Sequence, residues 1–507
     1  MAYHTGLYLF LFLPAALSAY QMVPRRHRWK ILLLFGYLFF YLISGELLLY
    51  LLGTTAFTYL AGQWIESAKR ERKRWVLTLG VTALLGVLGY LKYAPFLVKN
   101  LNFLAEKILG GELFAVQKLL LPVGISFYTL QAVGYLADVY WGKIKAETHP
   151  GKLALFLGFF PQIMEGPISM YSQTADQLWE GKALSSADLW NGGARILWGL
   201  FKKLVIADRL YIPVRQIFGH YQDYGGLITA AGAVAYTIQL YMEFSGCMDI
   251  VIGSGRMFGI RLPENFRQPF ASADAAEFWR RWHITLGTWL KTYVFYPVSM
   301  SGPVKRWNQF GRKHCGKYIT KLGVSAMALF PVWLCNGLWH GPRWSYIFFG
   351  MYYFAVLMAE IALEPVGKFI MRGLHIREDA WCWHGIRVLK TWVIIFTGEL
   401  FFRADGFRAG LAMFLSIFRE FSLEPLWDGS FLKLGLQPGD FYAAAIGCLV
   451  VGIYGMARER GWIREAALEK MRPSLRWGLC YSLILAIVIF GAYGTGYQQV
   501  DLIYAGF

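Results

Sequence analysis

Long apolar blocks alternate with short, mostly basic polar stretches along the whole chain. Blocks recur near residues 5–22, 76–98, 153–168, 189–206, 227–252, 319–336, 344–363, 386–402, 440–456 and 477–494. A helix crosses the ~30 Å hydrocarbon layer with roughly 20 mainly apolar residues, so each block has about the length of one crossing. The pattern predicts an all-α integral membrane protein, multi-pass, with about 11 transmembrane helices plus re-entrant or interfacial ones. Polar stretches near 171–188, 260–281, 301–318 and 364–385 are too short to fold alone and read as loops and surface-lying helices. With no linker, low-complexity tract or repeat in view, one membrane domain over residues 1–507 is expected.

Three segments carry finer patterns. Residues 31–64 have basic clusters at both ends and Ser44-Gly45-Glu46 in the middle, which reads as a hairpin of two short helices. From Glu277 to Lys291, a 100° step puts Arg280, Arg281, Thr288 and Lys291 on one face. Trp279, Trp282, His283, Leu286, Trp289 and Leu290 fall on the other, as in a helix lying in the membrane interface. In Leu334-Cys335-Asn336-Gly337-Leu338-Trp339-His340-Gly341-Pro342, the proline disfavours helical geometry at Gly341, so a helix should end at His340. Trp333 and Asn336 then share the face of His340.

Composition agrees with the blocks: 56% of residues are hydrophobic, 17% aromatic and 16% charged, against about 25% charged in soluble proteins. The net charge of +18 concentrates between blocks. The clusters are Arg25-Arg26-His27-Arg28, Lys69 to Arg74, a group from Lys305 to Lys317, and Arg458, Arg460, Arg464, Lys470 and Arg472. Beside apolar spans, such clusters follow from the positive-inside rule and anionic lipid headgroups, so membrane lipids are the expected partners and nucleic acid is not. The first block is followed, not preceded, by positive charge, which predicts an outside N-terminus rather than a cleaved signal peptide. Six scattered cysteines (247, 315, 335, 382, 448 and 480) contain no Cys-x-x-Cys and suggest neither disulfides nor zinc.

Ionisable groups in such surroundings are the candidate chemistry, because charge at membrane depth is costly. His283 and His340 stand out, followed by Glu243, Asp249 and Arg403. A packed histidine bonded to a carbonyl is the plain alternative for each imidazole. Pairing with an arginine such as Arg403 or Arg256 is the plain alternative for the two carboxylates, and snorkelling to the interface is that for Arg403. No third ligand at metal spacing accompanies either histidine, so no metal is expected.

Several motifs occur in order: Leu121-Pro122-Val123-Gly124-Ile125-Ser126-Phe127-Tyr128, Asp138-Val139-Tyr140, Phe160-Pro161-Gln162, Gly166-Pro167-Ile168 and Gly199 to Asp208. Then come Phe244-Ser245-Gly246 with Asp249, Arg261-Leu262-Pro263-Glu264-Asn265-Phe266, Phe278 to His283, Gly337 to Gly341, and Phe401-Phe402-Arg403-Ala404-Asp405. Together they resemble the membrane-bound O-acyltransferase family, in its bacterial alginate O-acetylation-like branch. The motif-bearing core spans about 121–405, between N-terminal helices (1–120) and C-terminal helices (406–507) that are family-like only in being hydrophobic. Two departures are visible: Glu243 stands where the branch commonly has Asp, and Lys291-Thr292 where an Arg-Asp pair is usual.

The resemblance implies a funnel-like helical core, His340 as the catalytic residue and His283 as the second site residue. Asn336, Trp339, Glu243, Asp249 and Arg403 are expected in support. It further implies acyl, in this branch acetyl, transfer from a cytoplasmic-side thioester such as acetyl-CoA to hydroxyls of an exported or cell-surface polysaccharide, with no bound cofactor. An extracellular SGNH-type acetyltransferase or esterase would be a partner, and an acyl carrier protein an alternative donor. The chemistry needs a base, an oxyanion stabiliser and exclusion of water. Imidazole suits the first role, since its unperturbed pKa of ~6.5 lies near working pH. The reading makes His340 the general base, Asn336 its orienting amide and His283 a substrate-positioning or oxyanion-stabilising group. Cys335 is an alternative acyl carrier. D-alanyl transfer to teichoic acid is the competing reaction, and a flippase for lipid-linked sugars the competing class. The latter should show an internal repeat, and none is seen. The bacterial cytoplasmic membrane is the expected location.

Overall fold

A computed structural model describes residues 1–111, 113–116, 119–377, 380–463 and 471–493. Among them every regular element is helical, and the one strand-like pairing is an isolated antiparallel bridge between Phe266 and Trp282. Six stretches are long and apolar enough to cross a membrane: Arg25–Ser67, Arg70–Leu109, Gly316–His340, Trp344–Gly373, Pro438–Glu459 and Pro473–Phe490. The chain is thus the all-α, multi-pass membrane protein its pattern predicts. Arg464 and Lys470 of the last basic cluster lie outside the described residues.

Other apolar blocks are shorter or interrupted, and local chemistry explains why. The block at 153–168 is not one span: the helix Pro150–Gly158 stops, Phe159 is extended, and a single turn Phe160–Ile163 follows. Pro161 has no N–H to offer the Leu157 carbonyl, which weakens a continuous helix here and suits the opening of a new turn. Within 31–64, Arg28–Ser44 and Leu48–Ser67 are separate helices joined by the turn Gly45–Leu47, at the break the sequence marks. Block 189–206 begins as the helix Ser186–Leu200 and passes into a wider π-turn over Phe201–Ala207.

By internal packing the described residues form two compact units, the first from Met1–Gly199 with Cys247–Glu264, the second from Leu200–Gly246 with those between Asn265 and Tyr493. The first is centred on the helix Ile125–Tyr140, whose residues are buried from Ile125 to Val139. Buried on every side, it is a core element, and it packs against Leu48–Ser67 and Arg70–Leu109. At the end of this helix a loop is pinned by Glu147. It accepts hydrogen bonds from the Tyr171 hydroxyl (2.5 Å) and the His149 N–H (2.9 Å), with the Lys152 ammonium 3.4 Å away. Burial alone would push this carboxyl up, but those three donors bring it below its ordinary range.

In the second unit the helix Gly316–His340 packs along Trp344–Gly373, which packs in turn on Trp381–Arg403. Glycine makes the first contact close. A side chain at Gly337 would put its Cβ 2.5 Å from the Tyr346 carbonyl, and one at Gly350 would strike the Trp333 carbonyl. Small residues at such crossings let backbones approach and bring packing forces to bear where the hydrophobic effect between helices is weak.

Candidate active site

His340 is the last residue of its helix. Gly341 follows at φ 151° and ψ 175°, a conformation essentially reserved for glycine, and Pro342 comes next. The expected break is present. The imidazole is 5% exposed and lies edge-on to Trp339 (5.0 Å between ring centres), Phe349 (5.7 Å) and Phe402 (5.0 Å). Trp333 and Asn336, on the same helical face, are also buried. Asn336 Oδ1 has no hydrogen-bond partner among the described residues, so in this arrangement it is an amide oxygen available to a further donor.

His283 is placed differently from the sequence reading. Residues 277–291 are not one helix: Ala275–Arg281 and Ile284–Leu290 are separate, with the chain turning at Trp282 and His283. His283 has φ 46° and ψ 51°, the left-handed region that few non-glycine residues enter. The break is two residues long, an extended Trp282 and a left-handed His283, and no proline or glycine marks it in the sequence. The face assignment survives, since Trp282, His283, Leu286, Trp289 and Leu290 are all buried.

The turn is held by Asn265. The Ile284 N–H donates to the Asn265 carbonyl (3.0 Å), and the Arg267 N–H to the Arg281 carbonyl (2.9 Å). The Asn265 side-chain oxygen accepts from the Thr285 N–H (3.1 Å) and the Thr285 hydroxyl (3.0 Å), and lies 3.2 Å from His283 Nδ1. Asn265 is fully buried, and the sequence reading did not single it out, although it sits within a quoted motif. No local signal marks it: Asn265 lies in the polar stretch 260–281, between Glu264 and Arg267, where an amide is ordinary.

His283 is 3% exposed, with its ring edge-on to Phe244 (4.9 Å) and to Trp339 (5.3 Å). Burial brings its pKa down to about 3, so the ring is neutral at ordinary pH. Trp339 therefore touches both histidines, with its ring centre 5.0 Å from that of His340 and 5.3 Å from that of His283. The two sequence-predicted imidazoles are brought together around one indole.

The supporting carboxylates find partners other than those expected. Glu243 pairs with Lys203 (3.2 Å), which also pairs with Asp208 (2.7 Å), and all three are buried. The neighbouring Lys202 donates to Ser245 (2.9 Å). Asp249 pairs with Arg195 (3.0 Å), whose two terminal nitrogens clasp Glu264 at 2.6 and 2.5 Å. Arg256 takes Asp188 (2.7 Å), and Arg403 lies over the Phe218 ring at 5.6 Å. Neither arginine named from sequence binds Glu243 or Asp249 in these pairs. Ion pairs between residues forty or more apart leave no local signature, so sequence spacing could not choose Lys203 over Arg403. Glu399, passed over in the sequence, is a further buried carboxyl, in the helix that ends with Phe402 and Arg403. Where the branch has an Arg-Asp pair, Lys291 opens a π-turn and lies 5.7 Å over the Tyr296 ring.

Comparison with known proteins identifies the family. The profile of the MBOAT, membrane-bound O-acyltransferase, family matches residues 152–402, which include both histidines. The chain is 33% identical over 460 residues to a probable alginate O-acetylase AlgI of Pseudomonas aeruginosa, covering 90% of this chain and 82% of that protein. It is 32% identical to a peptidoglycan O-acetyltransferase of Helicobacter pylori over 69% of this chain and 68% of that protein. A teichoic acid D-alanyltransferase of Bacillus subtilis is 30% identical over 46% of this chain and 58% of that protein. With the ordered motifs, the helical membrane fold and the paired histidines already in view, the chain belongs to the membrane-bound O-acyltransferase family and is a membrane-embedded acyltransferase.

Proposed function

We propose that this protein moves an acetyl group from a cytoplasmic-side thioester, acetyl-CoA or an acyl carrier, to hydroxyls of an exported or cell-surface polysaccharide at the bacterial cytoplasmic membrane. A secreted SGNH-type acetyltransferase could receive the group as relay. The observation that carries the reading is the pair of buried imidazoles on Trp339, one of them ending a broken helix. Buried aromatic surroundings limit access of water, which would otherwise hydrolyse the thioester. His340 accepts the hydroxyl proton as the oxygen attacks the thioester carbon. The C–S bond breaks and the same proton passes to the departing thiolate, so an ester and a thiol leave with no net change in protons. His283 positions the acceptor. Acetyl is favoured over D-alanyl because the alginate O-acetylase match extends over 90% of the chain and the D-alanyltransferase matches over 46% and 57%.

The test is transfer of labelled acetyl from acetyl-CoA by the reconstituted protein to polysaccharide or to the secreted relay. Removing a general base typically costs ~10²–10⁴-fold in rate, so His340→Ala and His340→Gln should lose transfer while inserting normally. Cys335→Ser should retain it. Near-normal transfer by both His340 variants would refute the base assignment, and labelling only from a D-alanyl carrier thioester would move the reaction to teichoic acid.

A further inference from the structure

The hydrogen bonds around Asn265 fix a property of His283 that ring positions alone leave open. A histidine nitrogen 3.2 Å from an amide could face either its oxygen or its nitrogen, since these look alike in outline. The Thr285 backbone removes the ambiguity. Its N–H, 3.1 Å away, can only donate, so the Asn265 atom it meets must be the oxygen. The same oxygen faces His283 Nδ1. Two acceptors cannot share a hydrogen bond, so Nδ1 carries the proton. In a neutral imidazole the other nitrogen, Nε2, then has the lone pair.

We propose that Asn265 is a positioning residue that holds His283 as its Nδ1–H tautomer, making Nε2 a hydrogen-bond acceptor for a hydroxyl of the acceptor substrate. This rests on the acyl-transfer reading for the identity of the hydroxyl, but the tautomer does not depend on that reading. The consequence is specific: a neutral His283 with its lone pair on Nε2 accepts a hydrogen bond at that atom and cannot donate one from it to the oxyanion. Of the two roles open to His283 from sequence, acceptor orientation remains and oxyanion stabilisation passes to another group. Asn265 thereby does two things through one oxygen. It caps the Ile284–Leu290 helix through Thr285, and it selects the proton position on the ring that begins that helix.

The full-length protein in lipid nanodiscs, labelled with ¹⁵N-histidine, tests the tautomer directly. Trp282-His283-Ile284 is the only Trp-His-Ile in the sequence, which permits assignment by selective neighbour labelling. At neutral pH, Nδ1 should bear the proton and Nε2 should not. A protonated Nε2 overturns the proposal whether or not the protein is active, so its failure is distinct from failure of the acyl-transfer reading. Kinetics on two variants test the consequence. Asn265→Ala should lose at least tenfold in kcat with the donor KM within about twofold. Asn265→Asp keeps the accepting oxygen and should recover more transfer than Asn265→Ala. Its carboxylate also favours the imidazolium, so its acid loss of activity should begin at higher pH than in the wild type. A purely structural asparagine predicts otherwise: an aspartate no better than alanine, with an unmoved pH profile. That outcome, or wild-type kcat in Asn265→Ala, overturns the assignment, and the wild-type spectrum decides if neither variant folds.

Discussion

At His283 one neighbour constrains both backbone and ring. A non-glycine residue held in the left-handed region costs of order 1–3 kcal/mol, and the hydrogen bonds to Asn265 offset that cost. Histidine, asparagine and aspartate enter this region far more readily than β-branched residues. His283→Val should therefore be less stable than His283→Asn by about 1–3 kcal/mol, even though the site is buried and valine is the more apolar residue. Denaturation of the two detergent-solubilised variants measures this, and a more stable valine variant would show that ring burial, not backbone conformation, governs the position. The two histidines were legible in the sequence because an ionisable ring inside an aromatic segment is conspicuous. Asn265 was not, because its importance lies in which atoms it meets across eighteen residues of chain.

At the scale of the element, the His340 helix is positioned by its glycine contact with Trp344–Gly373 and ended by Gly341-Pro342. Gly337→Val would drive methyl groups into the Tyr346 carbonyl. Overpacking of this kind costs typically ~1–3 kcal/mol. The expected result is a lowered thermal midpoint together with a disproportionate loss of transfer, since the displaced segment ends in His340. Unchanged activity per folded molecule would mean that the helix crossing does not set the position of the imidazole. The end of this helix was readable because proline acts on its immediate neighbour. At Phe159 apolar continuity over 153–168 predicts a single helix, whereas the backbone is extended there, two residues ahead of Pro161. The turn at His283 gave no comparable signal, since no proline or glycine marks it.

For the whole molecule, acid should be the destabilising direction. Glu147 has a lowered carboxyl pKa, so its contribution is present above the ordinary carboxylate value and is lost as pH falls through the folded value. His283 titrates at about 3 when folded against 6.5 when unfolded. Its contribution is complete above 6.5 and declines as pH falls from there, because only the unfolded chain then takes up the proton. One buried group of this kind steepens the loss by up to about 1.4 kcal/mol per pH unit. His283→Asn should flatten that part of the stability–pH curve between pH 6.5 and 4, as read from unfolding midpoints across the range. An unchanged slope would place the acid sensitivity elsewhere. The family and the helical membrane architecture were legible from composition and motif order, which are properties of the whole chain. Trp339 has a last consequence. Because its indole bears on both imidazoles, the histidines are not separable variables. Substitutions at 283, 339 and 340 should therefore not add, so the effect of changing one of them depends on what stands at the other two.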